Sequence, residues 1–327
     1  MLKKMIKIVV DLDGADISSE KLLPGVLNAL EEKDDLYLYL LSEKDLNLKG
    51  FNKYKDRYEF IKTKEAVTNN DIITKVIKEK AESSMIKGVK KLMEEDADGI
   101  VSCGATGALL CSAIYLIGRM GMHFPVLVSN MYNKKGGNFC LLDCGANANC
   151  IPEQLIDFAR MGDLYAKCYF EIDTPKIGLL SNGVEEKKGN ELVKAAHQLL
   201  KNSDLNFIGN IEGSNIFNKD YHVLVCDGFS GNLIIKNVEG TALTIIDSIK
   251  KLMIESSEDE KKAYQNAIDK ISSQFDYNSN GGAVLLGVNK IVVKGHGAAN
   301  YNTLKSIILQ AYRLAKSDFI KKMSENC

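Results

Sequence analysis

The stretch Leu179-Leu180-Ser181-Asn182-Gly183-Val184-Glu185-Glu186-Lys187-Lys188-Gly189-Asn190-Glu191-Leu192 sets glycines, carboxylates and lysines between an apolar run and a segment with helical leucine spacing. Such a strand–loop–helix corner brings backbone close to a ligand and offers N–H groups to an anion, with side chains for charge and proton work. The character repeats in Asp11-Leu12-Asp13-Gly14-Ala15-Asp16, Gly104-Ala105-Thr106-Gly107, Asp143-Cys144-Gly145-Ala146-Asn147 and Cys226-Asp227-Gly228-Phe229-Ser230-Gly231-Asn232. Gly209 to Gly213, which includes Glu212, and Lys294-Gly295-His296-Gly297 share it. None is a Walker loop or a G-x-G-x-x-G fingerprint, so neither route to nucleotide binding is supported. Each corner alone is ordinary turn chemistry. Their recurrence after successive strands predicts that they converge on a single cleft able to grip a small oxyanion, with Thr106, Asn147, Asn190 and Asn232 as its markers.

The elements that position these corners follow from periodicity. Met5–Asp11, Leu36–Leu41, Tyr58–Lys62, Gly99–Cys103, Phe124–Ser129, Phe139–Asp143, the run from Ile177, Asn206–Ile211, Val223–Cys226 and Lys290–Lys294 read as strands, with a hairpin across Asn133 to Gly137. Ser19–Glu32, Asp71–Glu95 bent near Ser83-Ser84, Ala108–Arg119, Pro152–Tyr169, the run from Asn190, Gly231 to about Met253, Glu258–Phe275 and Asn300–Met323 read as helices. The alternation predicts an α/β, three-layer sandwich with a mostly parallel sheet, the whole of 1–327 being one domain. The late helices form a protruding helical hairpin, an arm at about 238–276, with Ile254 to Lys262 as its polar tip.

The chain has 327 residues, 42 Lys+Arg against 43 Asp+Glu, and so no strong field to draw nucleic acid or anionic lipid. Gly99 to Gly118 carries no charge until Arg119, but Ser102, Gly104, Thr106 and Gly107 break it, which argues against a membrane span. The start lacks a cleavage site and reads as a first strand, so the expected location is cytoplasmic. Eight cysteines without a C-x-x-C pair read as reduced, mostly buried thiols, and no metal site is expected.

Taken together, Leu142-Asp143 with Gly145-Ala146-Asn147, Glu185-Glu186 with Lys188-Gly189-Asn190-Glu191-Leu192, Asn206 to Asn210 with Glu212-Gly213, Cys226 to Phe229 with Gly231-Asn232, and Gly281-Gly282-Ala283 with Leu285 to Val288 resemble the PlsX family. The likeness runs in order from Lys7 to about Leu314. It implies an acyl-[acyl-carrier-protein]:phosphate acyltransferase of phospholipid synthesis, with a fold related to phosphotransacetylases and isocitrate dehydrogenases, no cofactor and a homodimeric state. Its partners would be inorganic phosphate, an acyl thioester and acyl carrier protein or another acyl-bearing protein, with at most peripheral membrane contact.

Such chemistry needs an anion site, a held thioester carbonyl and stabilisation of the oxyanion formed there. Lys188, Asn190, Asp227 and His296 are expected to carry it, His296 either by protonating the leaving thiolate or by hydrogen-bonding the phosphate. Asp11, Gly14, Asp16, Gly104, Thr106, Gly107, Asp143, Gly145, Asn147, Glu185, Glu186, Gly189, Glu212, Gly228, Gly231, Asn232, Lys236 and Gly282 are expected to bind substrate, with Lys294 a further candidate cation; for Glu185 and Glu186 the alternative is a purely structural role as loop anchors.

The chain departs from the family on its loops. Ile17, Ala105, Asn149, Ile151 and Val184 stand where the family has polar or charged side chains or a different turn residue. Glu255, Glu258, Asp259 and Glu260 interrupt an arm tip that the family keeps basic and apolar. Two other readings therefore stay open. One is a short-chain (acetyl) phosphotransacylase subunit of an amino-acid reductase-type complex, with Cys144 as a candidate acyl carrier. The other is a non-catalytic PlsX-like binding or scaffold protein.

Overall fold

The structure is a computed structural model describing residues 5–121, 123–134, 137–254, 256–275 and 281–326; for 273–275 and 326 it describes the backbone alone. Among the described residues eleven strands form one sheet. They are β1 (Ile6–Asp11), β2 (Leu36–Ser42), β3 (Tyr58–Lys62), β4 (Gly99–Ser102), β5 (Val126–Asn133), β6 (Gly137–Leu142), β7 (Ile177–Ser181), β8 (Phe207–Glu212), β9 (Val223–Val225), β10 (Ala283–Leu286) and β11 (Ile291–Lys294). Their spatial order is β3-β2-β1-β4-β11-β10-β5-β6-β9-β7-β8.

The helices are α1 (Ser19–Glu32), α2 (Val76–Glu79), α3 (Ser84–Glu94), α4 (Thr106–Ser112), α5 (Pro152–Tyr165), α6 (Glu191–Lys201), α7 (Gly228–Ile254), α8 (Glu258–Phe275), α9 (Tyr301–Lys316) and α10 (Phe319–Asn326). The central strands are apolar on both faces, as strands covered from both sides must be. One apolar layer joins them to α1, α5 and α9, and the other to α3, α4 and the start of α7. This is the three-layer α/β sandwich that the alternation predicts.

Strand direction departs from the expectation that the corners converge. The strands β1, β2, β3, β4 and β11 are mutually parallel, whereas β10 is antiparallel to both β11 and β5. Next, β5 is antiparallel to β6, and β9, β7 and β8 run parallel to β6. The two halves of the sheet thus run in opposite senses. The corners after β1, β4 and β11 lie at one end of the strands, and those after β6, β7, β8 and β9 at the other.

The β5–β6 hairpin forms as the sequence implies, although 135–136 in its turn lie outside the described residues. Several helices are shorter than their periodicity suggests. The Asp71–Glu95 region divides because Ser83 Oγ accepts the Ile86 N–H and caps α3. The last helix breaks at Asp318, whose φ of 54° is left-handed. Wider π-type turns at Ala113–Ile117 and Ala166–Phe170 continue α4 and α5.

The helices α7 and α8 pack on each other, and of the 27 residues of α7 only Gly228, Gly231 and Ile246 are buried. Phe229, Leu233, Leu243, Leu252 and Ile254 are exposed along it. The expected arm is thus a helical pair; Glu255 in its tip and 276 at its end lie outside the described residues.

Candidate functional site

At the ends of β6 and β9 the loops are held by their own side chains. Asp143 is fully buried, and its Oδ1 accepts the N–H groups of Leu127, Gly145 and Ala146, each at 3.1 Å. Its Oδ2 accepts the Asn147 N–H at 2.6 Å and Asn147 Nδ2 at 2.9 Å. Burial outweighs these hydrogen bonds and holds the carboxyl above its ordinary range. Asn147 Nδ2 also donates to Pro125 O, and its own carbonyl accepts the Gly228 N–H. The amides expected to face an oxyanion at 145–147 are therefore already spent on Asp143, which corrects the sequence reading of this loop.

The α7 start packs directly onto this loop. A Cβ on Gly231 would lie 1.9 Å from Asp143 O, so only glycine admits the approach. Asp227 caps the helix, accepting the Ser230 N–H at 2.8 Å and Ser230 Oγ at 2.9 Å. Gly145 lies against Asn232. The neighbouring 182–190 loop is similarly tied. Asn190 caps α6 through the Val193 N–H, Asn182 Oδ1 takes the Gly189 N–H, and Asn210 holds Glu185 O. Glu186 accepts from Gln198 and Lys201 on the surface, and Glu212 is half-buried at the end of β8. Lys188 is exposed, its stem against Gly183, and has no ion-pair partner among the described residues.

The other end of the strands is less self-contained. Ser102 Oγ donates to Asp11 Oδ2 at 2.6 Å and accepts the Gly104 N–H at 3.0 Å. Asp11 is 2% exposed, and burial pushes its carboxyl up to about 6. Asp13 is an anchor, taking Ser19 Oγ, Ser42 Oγ and the Glu43 N–H. Gly14, at a φ of 86°, would bring a Cβ to 2.7 Å from Gly104 Cα. The Asp16 N–H donates to Gly297 O, joining the β1 and β11 corners. Gly282 lies against Lys294 O. The cap of α4 is Ala105, which has no side chain to offer, so the N–H groups of Thr106 and Gly107 have no protein acceptor among the described residues.

Lys294 ends β11 with its ammonium turned back toward the Cys103 and Gly295 carbonyls. Burial holds it below its ordinary value; Cys103, Asp11 and Asp16 oppose that shift, and the Lys236 charge adds to it. Lys236 belongs to α7, eight residues (about 12 Å of helix) from its start. That helix therefore leaves the self-satisfied corners and carries Lys236, its ammonium paired with Glu239 at 2.8 Å, toward Lys294. The markers form two groups, Thr106 at one end of the strands and Asn147, Asn190 and Asn232 at the other, Asn232 near the start of α7.

His296 is exposed, and its Nδ1 accepts the Ala298 N–H at 3.2 Å, which in the neutral ring leaves Nε2 carrying the proton. Cys144 donates its thiol to Leu141 O, and burial raises it well above the ordinary thiol range. That inert environment overturns the reading of Cys144 as an acyl carrier. Ser102 and Asn210 are the residues that sequence reasoning missed. A serine ending the apolar run Ile100-Val101-Ser102 is the one signal that marks the first. Among the described residues no group of three or more His, Cys, Asp or Glu can hold a metal, and no helix is long and apolar enough to cross a membrane.

Residues 6–322 match the family model described as "Fatty acid synthesis protein". The chain is 36% identical to the phosphate acyltransferase of Clostridioides difficile (strain 630), over 98% of this chain and 96% of that one. It is 37% identical to the phosphate acyltransferase of Clostridium tetani (strain Massachusetts / E88), over 98% and 97%. Its fold is that of a branched-chain phosphotransacylase from Enterococcus faecalis V583, with a TM-score of 0.58 at 15% identity over 94% and 99% of the two chains. With the motifs in order over nearly its whole length, this chain belongs to the PlsX family of phosphate acyltransferases.

Proposed function

We propose that the chain transfers an acyl group from a carrier-bound thioester to inorganic phosphate, giving acyl phosphate for phospholipid synthesis. The observation that carries this reading is Lys294, whose ammonium is held at the Cys103 and Gly295 carbonyls where the 103–107 corner begins. Lys236, from the other half of the sheet, adds its charge from a distance, its own ammonium being paired with Glu239 at 2.8 Å. An ammonium at this corner and the open N–H groups of Thr106 and Gly107 suit a multiply charged oxyanion.

In this reading an oxygen of hydrogen phosphate attacks the thioester carbonyl carbon, the C–S bond breaks, and the proton that the phosphate gives up goes to the leaving thiolate, which His296 Nε2–H steadies by a hydrogen bond. Phosphate needs no activation by a base, so positioning and charge carry most of the rate. Lys188, with no carboxylate of its own, is the cation left for the donor. The donor protein is an acyl carrier protein or another acyl-bearing protein. The exposed apolar side chains of α7 support a homodimer of single-domain chains, and the cell compartment is the cytoplasm.

The test is acyl phosphate formation from phosphate and acyl thioesters of several lengths, trapped as the hydroxamate. Product from long-chain donors on carrier protein is expected. Product from acetyl thioesters alone selects the reductase-type reading. Phosphate binding by calorimetry with no product from any donor selects a binding protein.

A further inference from the structure

Ser102 ends β4 fully buried, and its hydroxyl is committed on both sides. Its single proton goes to Asp11 Oδ2 at 2.6 Å, and its oxygen then accepts the Gly104 N–H at 3.0 Å. The backbone carbonyl of the same serine accepts the Gly295 N–H at 2.9 Å. One residue thereby ties the ends of β1 and β11 to the loop that follows β4.

These contacts reach Lys294 through the geometry of a peptide bond. The Cys103–Gly104 bond is trans and planar, so its C=O and N–H point in opposite directions. With the Gly104 N–H drawn in to Ser102 Oγ, the Cys103 carbonyl is turned the other way, and there it accepts Lys294 Nζ at 3.4 Å. The second carbonyl that holds the ammonium belongs to Gly295, the residue whose N–H is fixed by Ser102 O. Glycine at 104 and at 295 leaves both peptides free to rotate, and the serine removes that freedom. Buried as it is, Ser102 cannot touch substrate, so its influence runs through the ammonium it aims.

We propose, resting on the reading of Lys294 as the phosphate cation, that Ser102 is a positioning residue for acyl transfer, aiming the two carbonyls that hold the Lys294 ammonium. The test is a double-mutant cycle on the full chain, read as kcat/KM for phosphate in acyl phosphate formation. Ser102→Ala should lower that value at least tenfold in the parent, with the KM for the acyl thioester within threefold. In Lys294→Met the same change should cost less than threefold, because the group it aims is gone. A role in stability alone would lower melting and multiply the two losses, which overturns the proposal. An unchanged kcat/KM in Ser102→Ala overturns it as well. Should Ser102→Ala fail to fold, Ser102→Cys takes its place, with a weakly bonding thiol at the same point; a loss of at least threefold in the parent and none in Lys294→Met is then expected. A parent chain that makes no acyl phosphate from any donor overturns the acyl-transfer reading and this proposal together, whereas an active parent with independent losses overturns the proposal alone.

Discussion

The two groups of corners differ in how their amides are used. After β6 and β9, Asp143 takes four backbone N–H groups and one side-chain amide, and the loop is closed on itself. After β4 and β11, a capless helix leaves N–H groups open at the corner where the half-buried Lys294 turns back to Cys103 O. Similar glycine-rich sequences therefore build a scaffold at one end and a receptive surface at the other. The difference lies in whether a buried carboxylate reaches the loop's own amides.

The largest effect should come from opening the closed end. Asp143→Ala leaves the loop's donors without their acceptor; at roughly 1–3 kcal/mol for each unsatisfied group the loss should be about 4 kcal/mol or more. Thermal unfolding measures it, and a melting temperature close to that of the parent would mean that water replaces the carboxylate. At the receptive end, Lys294→Met keeps the apolar stem and removes the charge. Acyl phosphate formation should fall about 10²–10³-fold, the scale for loss of one positioned oxyanion group, with little change in melting. If the rate stays within threefold of the parent, Lys294 is not where phosphate is held.

How much of this was legible in the sequence is itself uneven. Apolar runs such as Ile8-Val9-Val10 and Leu38-Tyr39-Leu40 mark the strands because a doubly covered sheet leaves them no polar face. Direction was not legible. Ala283–Leu286, four residues bounded by glycines, reads as a motif rather than a strand, yet as β10 it joins the two halves antiparallel. Together with the β5–β6 hairpin, it sends the later corners to the far end. Nor does sequence tell an amide that waits for a ligand from one already bound. Asp143 and Asp11 both end apolar strands before glycine, and only their neighbours in space separate them.

Asp11 sharpens the contrast through pH. Its folded value of about 6 lies above the ordinary 3.8, so the folded state binds the proton more tightly than the unfolded chain. Stability therefore falls as pH rises from about 4 to 6, by up to about 3 kcal/mol at 1.36 kcal/mol per unit. Asp11→Asn lacks this loss. The difference in unfolding free energy between parent and Asp11→Asn should drift across that window and be flat above pH 7. A constant difference from pH 4 to 8 would place the carboxyl near its ordinary value.

The smallest expected effect tests the scaffold side again. Glu186 is exposed, and its carboxylate is held below the ordinary range by Gln198 and Lys201. Those partners lie on α6, so the side chain ties loop to helix at the surface, where such pairs contribute little. Glu186→Gln should leave melting, kcat and KM for phosphate unchanged. A tenfold rise in that KM at unchanged melting would instead put the side chain on the substrate. The 182–190 loop would then be a binding element, and the division between a closed end and a receptive one would have to be redrawn around it.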